Sequence, residues 1–162
     1  MANSIFGGKL VIWMTFLAAL ILQTIPWPGT MDMLRPSWLV LVTCYWVMAA
    51  PHRVNVGTGL ILGLLWDLLL GSTLGIHGLM MAIVTYLVAI NFLVIRNMAL
   101  WQQALVMALL SMLSITIEFF GEFIIQDVVF NPTSLWVALI NAILWPWLFL
   151  LLRRVRRIWR VR

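Results

Sequence analysis

The residues able to do chemistry are few, and they lie in apolar surroundings. Asp67, Glu118 and Glu122 sit inside hydrophobic runs. An ionised side chain at such a position costs at least ~2.5–3.5 kcal/mol on membrane-insertion scales, so it normally faces a bundle interior or a watery cavity. No Lys or Arg lies at matching depth; each acid must therefore be hydrogen-bonded, protonated or wet. Ser111, Ser114, Glu118 and Glu122 recur at helical spacing on one face, with Gly121 beside them. Hydroxyls leading toward two carboxylates suit a proton or cation path. They suit hydrogen bonding between helices equally well, and that is the plainer reading.

Asp67 belongs to a second stripe. Asn55, Gly59, Gly63, Asp67 and Gly71 recur every four residues, and Gly59/Gly63 and Gly71/Gly75 each form a GxxxG pair. Small residues on such a stripe let a neighbouring backbone approach closely, a main source of helix association in lipid. Asn55, Gly59, Gly63, Asp67, Gly71, Ser72 and Gly75 are therefore candidates for a partner interface. A structural hydrogen bond from Asp67 within the bundle is the blander expectation beside it. Gln23, Thr24, Asn91 and Asn141 are further candidates for buried hydrogen bonds, with Glu118, Glu122 and Asn141 the intramembrane polar set.

Catalysis has little to stand on. His52 and His77 have no acidic, Cys or second His neighbour at ligand spacing, which argues against a metal site. Cys44 is the single cysteine, so neither a disulfide framework nor a cysteine cluster exists. No P-loop, GxSxG, HExxH or GxGxxG occurs. The reading is of a protein that is not an enzyme, with no cofactor and no metal.

The elements that position these residues follow from composition. Of 162 residues 64% are hydrophobic and 9% charged, against roughly 45–50% and 25% in soluble domains. Lipid is the solvent that accommodates this excess. The net charge of +5 does not point to nucleic acid, because six of the ten basic residues fall in the last ten positions. An all-α, polytopic membrane fold in a single domain is predicted, with six spans at about 10–26, 36–50, 56–70, 76–95, 99–125 and 134–152, and a basic tail over 153–162. The second and third runs are short for a bilayer ~30 Å thick; they either extend into their flanks or form a buried re-entrant hairpin. The first run resembles a signal peptide in having Lys9 before an apolar stretch. It continues to Trp27 with no small-x-small cleavage site, and is expected to be an uncleaved span.

Basic residues near span ends orient the chain. With both termini cytoplasmic, that side holds Lys9, Arg53, Arg96, Arg153, Arg154, Arg156, Arg157, Arg160 and Arg162, and the other holds Arg35. In the tail, Arg153, Arg154, Arg156 and Arg157 are lipid-headgroup candidates, each contributing ~1 kcal/mol at an anionic leaflet. Binding of an acidic cytoplasmic partner is the sharper alternative for the same residues.

From Arg35 to Gly75 the chain resembles the rod shape-determining protein MreD family. The resemblance is carried by Arg35-Pro36-Ser37-Trp38, Tyr45-Trp46, Pro51-His52-Arg53-Val54-Asn55 and, above all, Gly63-Leu64-Leu65-Trp66-Asp67-Leu68-Leu69-Leu70-Gly71-Ser72-Thr73-Leu74-Gly75. Arg96-Asn97-Met98-Ala99-Leu100-Trp101 and Leu144-Trp145-Pro146-Trp147 extend it along the chain, most like the enterobacterial-type members. It implies a non-enzymatic inner-membrane subunit of the rod complex, or elongasome, which directs lateral peptidoglycan synthesis. Implied partners are MreC directly, and MreB, RodA and the elongation transpeptidase through the complex; association with further copies of the chain stays open. The implied fold is similar to the six-helix S-components of energy-coupling-factor transporters. Asp67, Gly71, Ser72 and Gly75 carry over as signature positions, without a catalytic role. From a different class comes a second reading: a transporter subunit or lipid-handling membrane protein with an internal polar cavity lined by Asp67, Glu118 and Asn141.

Overall fold

The structure, a computed structural model, is all-helical among the described residues, which are 2–159 and 161. The side chains of residues 2–6 and of Met33 are not described. Arg160 and Arg162 of the expected tail lie outside the described residues. In chain order the helices are α1 (Ala2–Thr24), α2 (Trp38–Ala49), α3 (Val56–Leu70), α4 (Ile76–Ile90), α5 (Phe92–Asn97), α6 (Leu100–Gln126) and α7 (Leu135–Ile158), with 3₁₀ turns at Gly29–Leu34 and Pro132–Ser134. Segments of α1, of α6 and of Pro132–Ile158 are long and apolar enough to cross a membrane; α2, α3 and α4 are shorter apolar helices.

Of the three short helices, α2 is enclosed by other helices, whereas α3 and α4 each keep one exposed apolar face. Every residue of α2 from Leu39 to Met48 is buried, as expected of a helix that is apolar all round. It packs against α1, α4, α5 and α7. At ~1.5 Å per residue its 12 residues span only ~18 Å. The indole N–H of Trp46 donates to Thr15 Oγ1 on α1 at 2.8 Å, and Tyr45 meets Phe149 of α7 edge-on with ring centroids 5.4 Å apart. These contacts fix α2 against the long helices beside it.

The expected span 76–95 is divided. α4 ends at Ile90, and the chain resumes as the short α5. At the junction Asn91 turns its amide back to the Leu87 carbonyl at 3.0 Å, a local bond of the kind by which Asn competes with helix continuation. A second break precedes α6, where the Ala99 N–H donates to Gln102 Oε1. Gln103 Nε2 reaches the Met98 carbonyl while its Oε1 accepts from the indole of Trp145, so α7 pins this joint. At the other extreme α7 runs unbroken through Pro146 and on to Ile158, which places Arg153, Arg154, Arg156 and Arg157 on the last turns of a helix.

α3 and α4 form the most extensive helix pair. α3 opens on a capping box in which Asn55 Oδ1 accepts from the Thr58 N–H and Thr58 Oγ1 from the Asn55 N–H. It closes at Gly71, which is left-handed with φ +62°, as the Ser72 N–H reaches back to the Asp67 carbonyl at 3.2 Å. That bond satisfies one of the last carbonyls of the helix in the Schellman manner, and the left-handed residue after the helix is what glycine supplies without a Cβ penalty.

Candidate functional site

Asp67 is fully buried, and every contact of its carboxylate is with a donor. Oδ2 accepts the backbone N–H of Gly75 at 2.8 Å and of Gly78 at 3.3 Å. Oδ1 accepts the His77 N–H at 3.3 Å, the Ser72 hydroxyl at 3.2 Å and the His77 ring at Nδ1, at 2.7 Å. The carboxylate of one helix thus caps the first turn of the next, where unpaired N–H groups and the helix dipole both favour negative charge. The loop must bend tightly to bring this about, and Gly75 does so at φ +106°. Asp67 at the end of α3, Gly71 to end it, Ser72 to donate and Gly75 to return the chain are a single device for turning α3 into α4.

The glycines upstream of Asp67 close the same hairpin. A Cβ on Gly63 would strike the His77 carbonyl oxygen, with the Gly78 Cα only 2.6 Å away; one on Gly59 would strike the Thr85 side chain. Gly59, Gly63 and Asp67, expected as part of a partner interface, are buried against α4 of their own chain. That stretch of the stripe is therefore already covered by a helix that sequence spacing could not assign to it. Asn55, Gly71 and Ser72 remain exposed and Gly75 half-buried.

His77 is the residue that sequence reasoning missed. No acid stands at ligand spacing from it in the sequence, yet Asp67 touches Nδ1, and Glu118 Oε1 of α6 lies 3.9 Å from Nε2. Its ring also leans on the Trp66 indole with centroids 4.2 Å apart. The available signal was the loop itself: a GxxxD helix end followed by Gly-Ser-x-Leu-Gly brings the next helix's first turn back to the aspartate. Donation from Nδ1 to Asp67 fixes the imidazole and turns Nε2 toward Glu118.

Beyond His77 opens a cavity of about 420 Å³ at one end of the bundle. Its walls come from the C-terminal ends of α1, α3 and α6, the N-terminal ends of α2, α4 and α7, and the two 3₁₀ turns between them. Glu118 and Glu122 both line it. Of the three residues expected around an internal cavity, only Glu118 does so. Asp67 is consumed by its cap, and Asn141 is buried in a bond set of its own, accepting the Ser37 N–H at 3.0 Å and donating to Ser111 Oγ at 2.8 Å. Ser114 bonds back to the Leu110 carbonyl. The polar stripe of α6 therefore divides into hydrogen bonds between and within helices at Ser111 and Ser114 and a cavity wall at Glu118 and Glu122.

The opposite end of the bundle is basic. Lys9, His52 and Arg53 share one recess, and Arg96, Arg153 and Arg156 another beside Tyr45 and Phe149. Arg153, Arg154 and Arg157 are exposed and Arg156 is half-buried. Among the described residues no three His, Cys, Asp or Glu side chains converge as metal ligands. The chemistry on offer is a capped, rigid helix hairpin, an acidic cavity at one end and a cationic rim at the other.

The family model for rod shape-determining protein MreD matches residues 4–155. The chain is similar to the rod shape-determining protein MreD of Haemophilus influenzae, with 43% identity over 142 residues that cover 88% of each chain. No solved structure matches it. The chain belongs to the rod shape-determining protein MreD family.

Proposed function

We propose that this chain is the multi-pass inner-membrane subunit of the rod complex, crossing six times with both termini cytoplasmic and acting through direct association with MreC. As a family member it is a rod shape-determining membrane protein and not an enzyme. The match across residues 4–155 carries the reading. Six crossings in alternating direction are supported by the cavity, which gathers three C-terminal and three N-terminal helix ends. Cytoplasmic termini are supported by Lys9, Arg53, Arg96, Arg153 and Arg156 at the opposite end. A six-helix arrangement akin to S-components accords with α2 being enclosed by its neighbours. On this reading MreB, RodA and the elongation transpeptidase are reached through MreC.

The docking element on this reading is the α3–α4 hairpin as a unit. Gly59, Gly63 and Asp67 hold it together, while Asn55, Gly71, Ser72 and Gly75 mark its accessible ends. Arg153, Arg154, Arg156 and Arg157 rest on the anionic inner leaflet. Depletion in a rod-shaped host tests the function: cells should round, and rods of unchanged shape refute it. Co-purification of MreC with the tagged chain tests the partner. The second reading, a transporter or lipid-handling protein, draws its one favouring observation from the cavity.

A further inference from the structure

We infer that the recess formed by Arg96, Arg153, Arg156 and Tyr45 at the basic end of the bundle is a binding site for the phosphodiester of an anionic phospholipid. Three helices meet there. α7 contributes Arg153 and Arg156, one helical turn apart on one face. α5, set apart from α4 at Asn91, packs on α2 and contributes Arg96 from its last turn. α2 supplies Tyr45 and Met48 as the floor, with Phe149 of α7 beside them. The space is about 260 Å³. That is below the roughly 300–1,000 Å³ of pockets enclosing a whole small ligand, and it suits a headgroup whose chains lie outside.

Charge defines the occupant. All five acidic residues of the chain belong to the other end of the bundle: Asp32, Glu118 and Glu122 line the cavity there, Asp67 caps the first turn of α4 beside it, and Asp127 follows the C-terminal end of α6. Among the described residues none of the three arginines pairs with an acid, so their counter-charge must come from outside the chain. Two of them are already held in place. Arg96 lies over the Phe92 ring, 5.7 Å from its centroid, and Arg156 Nε donates to the Val161 carbonyl at 3.2 Å, which leaves its two terminal nitrogens. Tyr45 is only 3% exposed; its ring is fixed edge-on against Phe149, and its hydroxyl stands beside the Arg156 guanidinium. Forked guanidiniums and a phenol hydroxyl are donors matched to phosphate oxygens. A lipid that carries an ammonium next to its phosphate adds positive charge to a recess already in excess of it. A phosphodiester of an uncharged alcohol does not.

The source is a membrane lipid rather than free phosphate. Basic pockets between helices at the cytoplasmic ends of membrane proteins take anionic headgroups. The turns that carry Arg96 and Arg153 also carry Leu93, Val94, Leu150 and Leu151, each at least half-exposed, an apolar surface along which acyl chains would run. The site rests on the reading that this end meets the inner leaflet, and it replaces diffuse attraction with one defined lipid.

The full chain, delipidated in detergent, is offered phosphatidylglycerol or phosphatidylethanolamine with identical acyl chains, and bound lipid is counted by native mass spectrometry. Retention of one phosphatidylglycerol, favoured about tenfold, is expected. Arg96→Gln and Arg153→Gln replace exposed side chains, so both leave the packing intact, and each should cut the preference below about threefold. Tyr45→Phe keeps the buried ring and should lower it about twofold. Lys9→Gln makes the same charge change at the same end but in the neighbouring recess, and should alter the preference by less than about twofold. Equal losses from Lys9→Gln and the two arginine variants overturn the site while leaving leaflet contact in place. No preference in the unaltered chain also overturns the site, and the orientation reading is then decided apart, by labelling Arg157→Cys from either face of the membrane. Inorganic phosphate at equal concentration should fail to displace the lipid; displacement overturns the lipid as the source. Displacement by a polyglutamate peptide at equal concentration overturns the assignment in favour of an acidic protein segment.

Discussion

Gly63→Ala adds one methyl to the chain, and the structure makes it a severe change. The new Cβ would meet the His77 carbonyl oxygen, the Gly78 Cα at 2.6 Å and the His77 carbonyl carbon at 2.7 Å. All three are backbone atoms, so no side chain can swing aside; α3 and α4 must separate. Overpacking alone costs about 1–3 kcal/mol. Separation also lengthens the bonds from Asp67 to the Gly75, His77 and Gly78 N–H groups, and each charge-assisted bond weakened puts a further ~1 kcal/mol at stake. Alanine's better helix propensity returns up to ~1 kcal/mol. The net expectation is a loss of about 3–5 kcal/mol.

Gly57→Ala is the control, since the only neighbour of its Cβ is Asn55 Oδ1 at 3.3 Å and the residue is exposed. It should change stability by no more than about 0.5 kcal/mol. Both variants are to be unfolded by SDS titration in mixed micelles, followed by tryptophan emission, and in parallel purified with MreC. Loss of stability in the isolated chain marks the stripe as an internal seam. Unaltered unfolding of Gly63→Ala together with lost co-purification would refute the reasoning, because the glycine would then face the partner and not α4.

Three further substitutions probe the remaining polar contacts. Asp67→Ala should destabilise by about 3–5 kcal/mol, while Asp67→Asn should cost about 1–3 kcal/mol, since a flipped amide still accepts from Gly75 and Gly78; equal values in the same titration would refute the cap. Asn141→Leu strands the Ser37 N–H and the Ser111 hydroxyl and should cost about 1–3 kcal/mol, with rapid amide exchange at Ser37 as its signature. Gly75→Ala has open space for its Cβ but φ +106°, so it should lose roughly 1–2 kcal/mol through backbone strain alone; a neutral result would mean that the loop relaxes without cost.

How much of this was legible beforehand depended on which physical rule applied. Lipid-facing length and the positive-inside rule act along one dimension, so the apolar runs and the gathering of basic residues at one end could be read from spacing. The divided fourth run could not: Asn91 and Gln103 act through bonds to Leu87, Met98 and Trp145 that only the fold brings together. The Gly59–Gly63–Asp67 stripe was visible, but its partner was not, because a small-residue face states that something packs closely and not what. Ligand spacing in sequence has no bearing on His77, whose acidic neighbour is delivered by a reversal of chain direction.

The signature around Asp67 acquires a physical meaning from this hairpin. A buried backbone N–H left without a partner costs about 1–3 kcal/mol. A helix that starts at Ile76 exposes its first-turn donors at a tight turn, where no residue of its own supplies a side-chain cap. Asp67 resolves this from the preceding helix, and in doing so is itself resolved: its charge is answered by three backbone N–H groups, a hydroxyl and an imidazole. Neither helix end is satisfactory alone. The lone pairs of this acid are spent on structure and leave none for transport or catalysis. Glu118, which lies 3.9 Å from Nε2 of the same His77 and has no hydrogen-bond partner among the described residues, is instead the acid that lines the cavity.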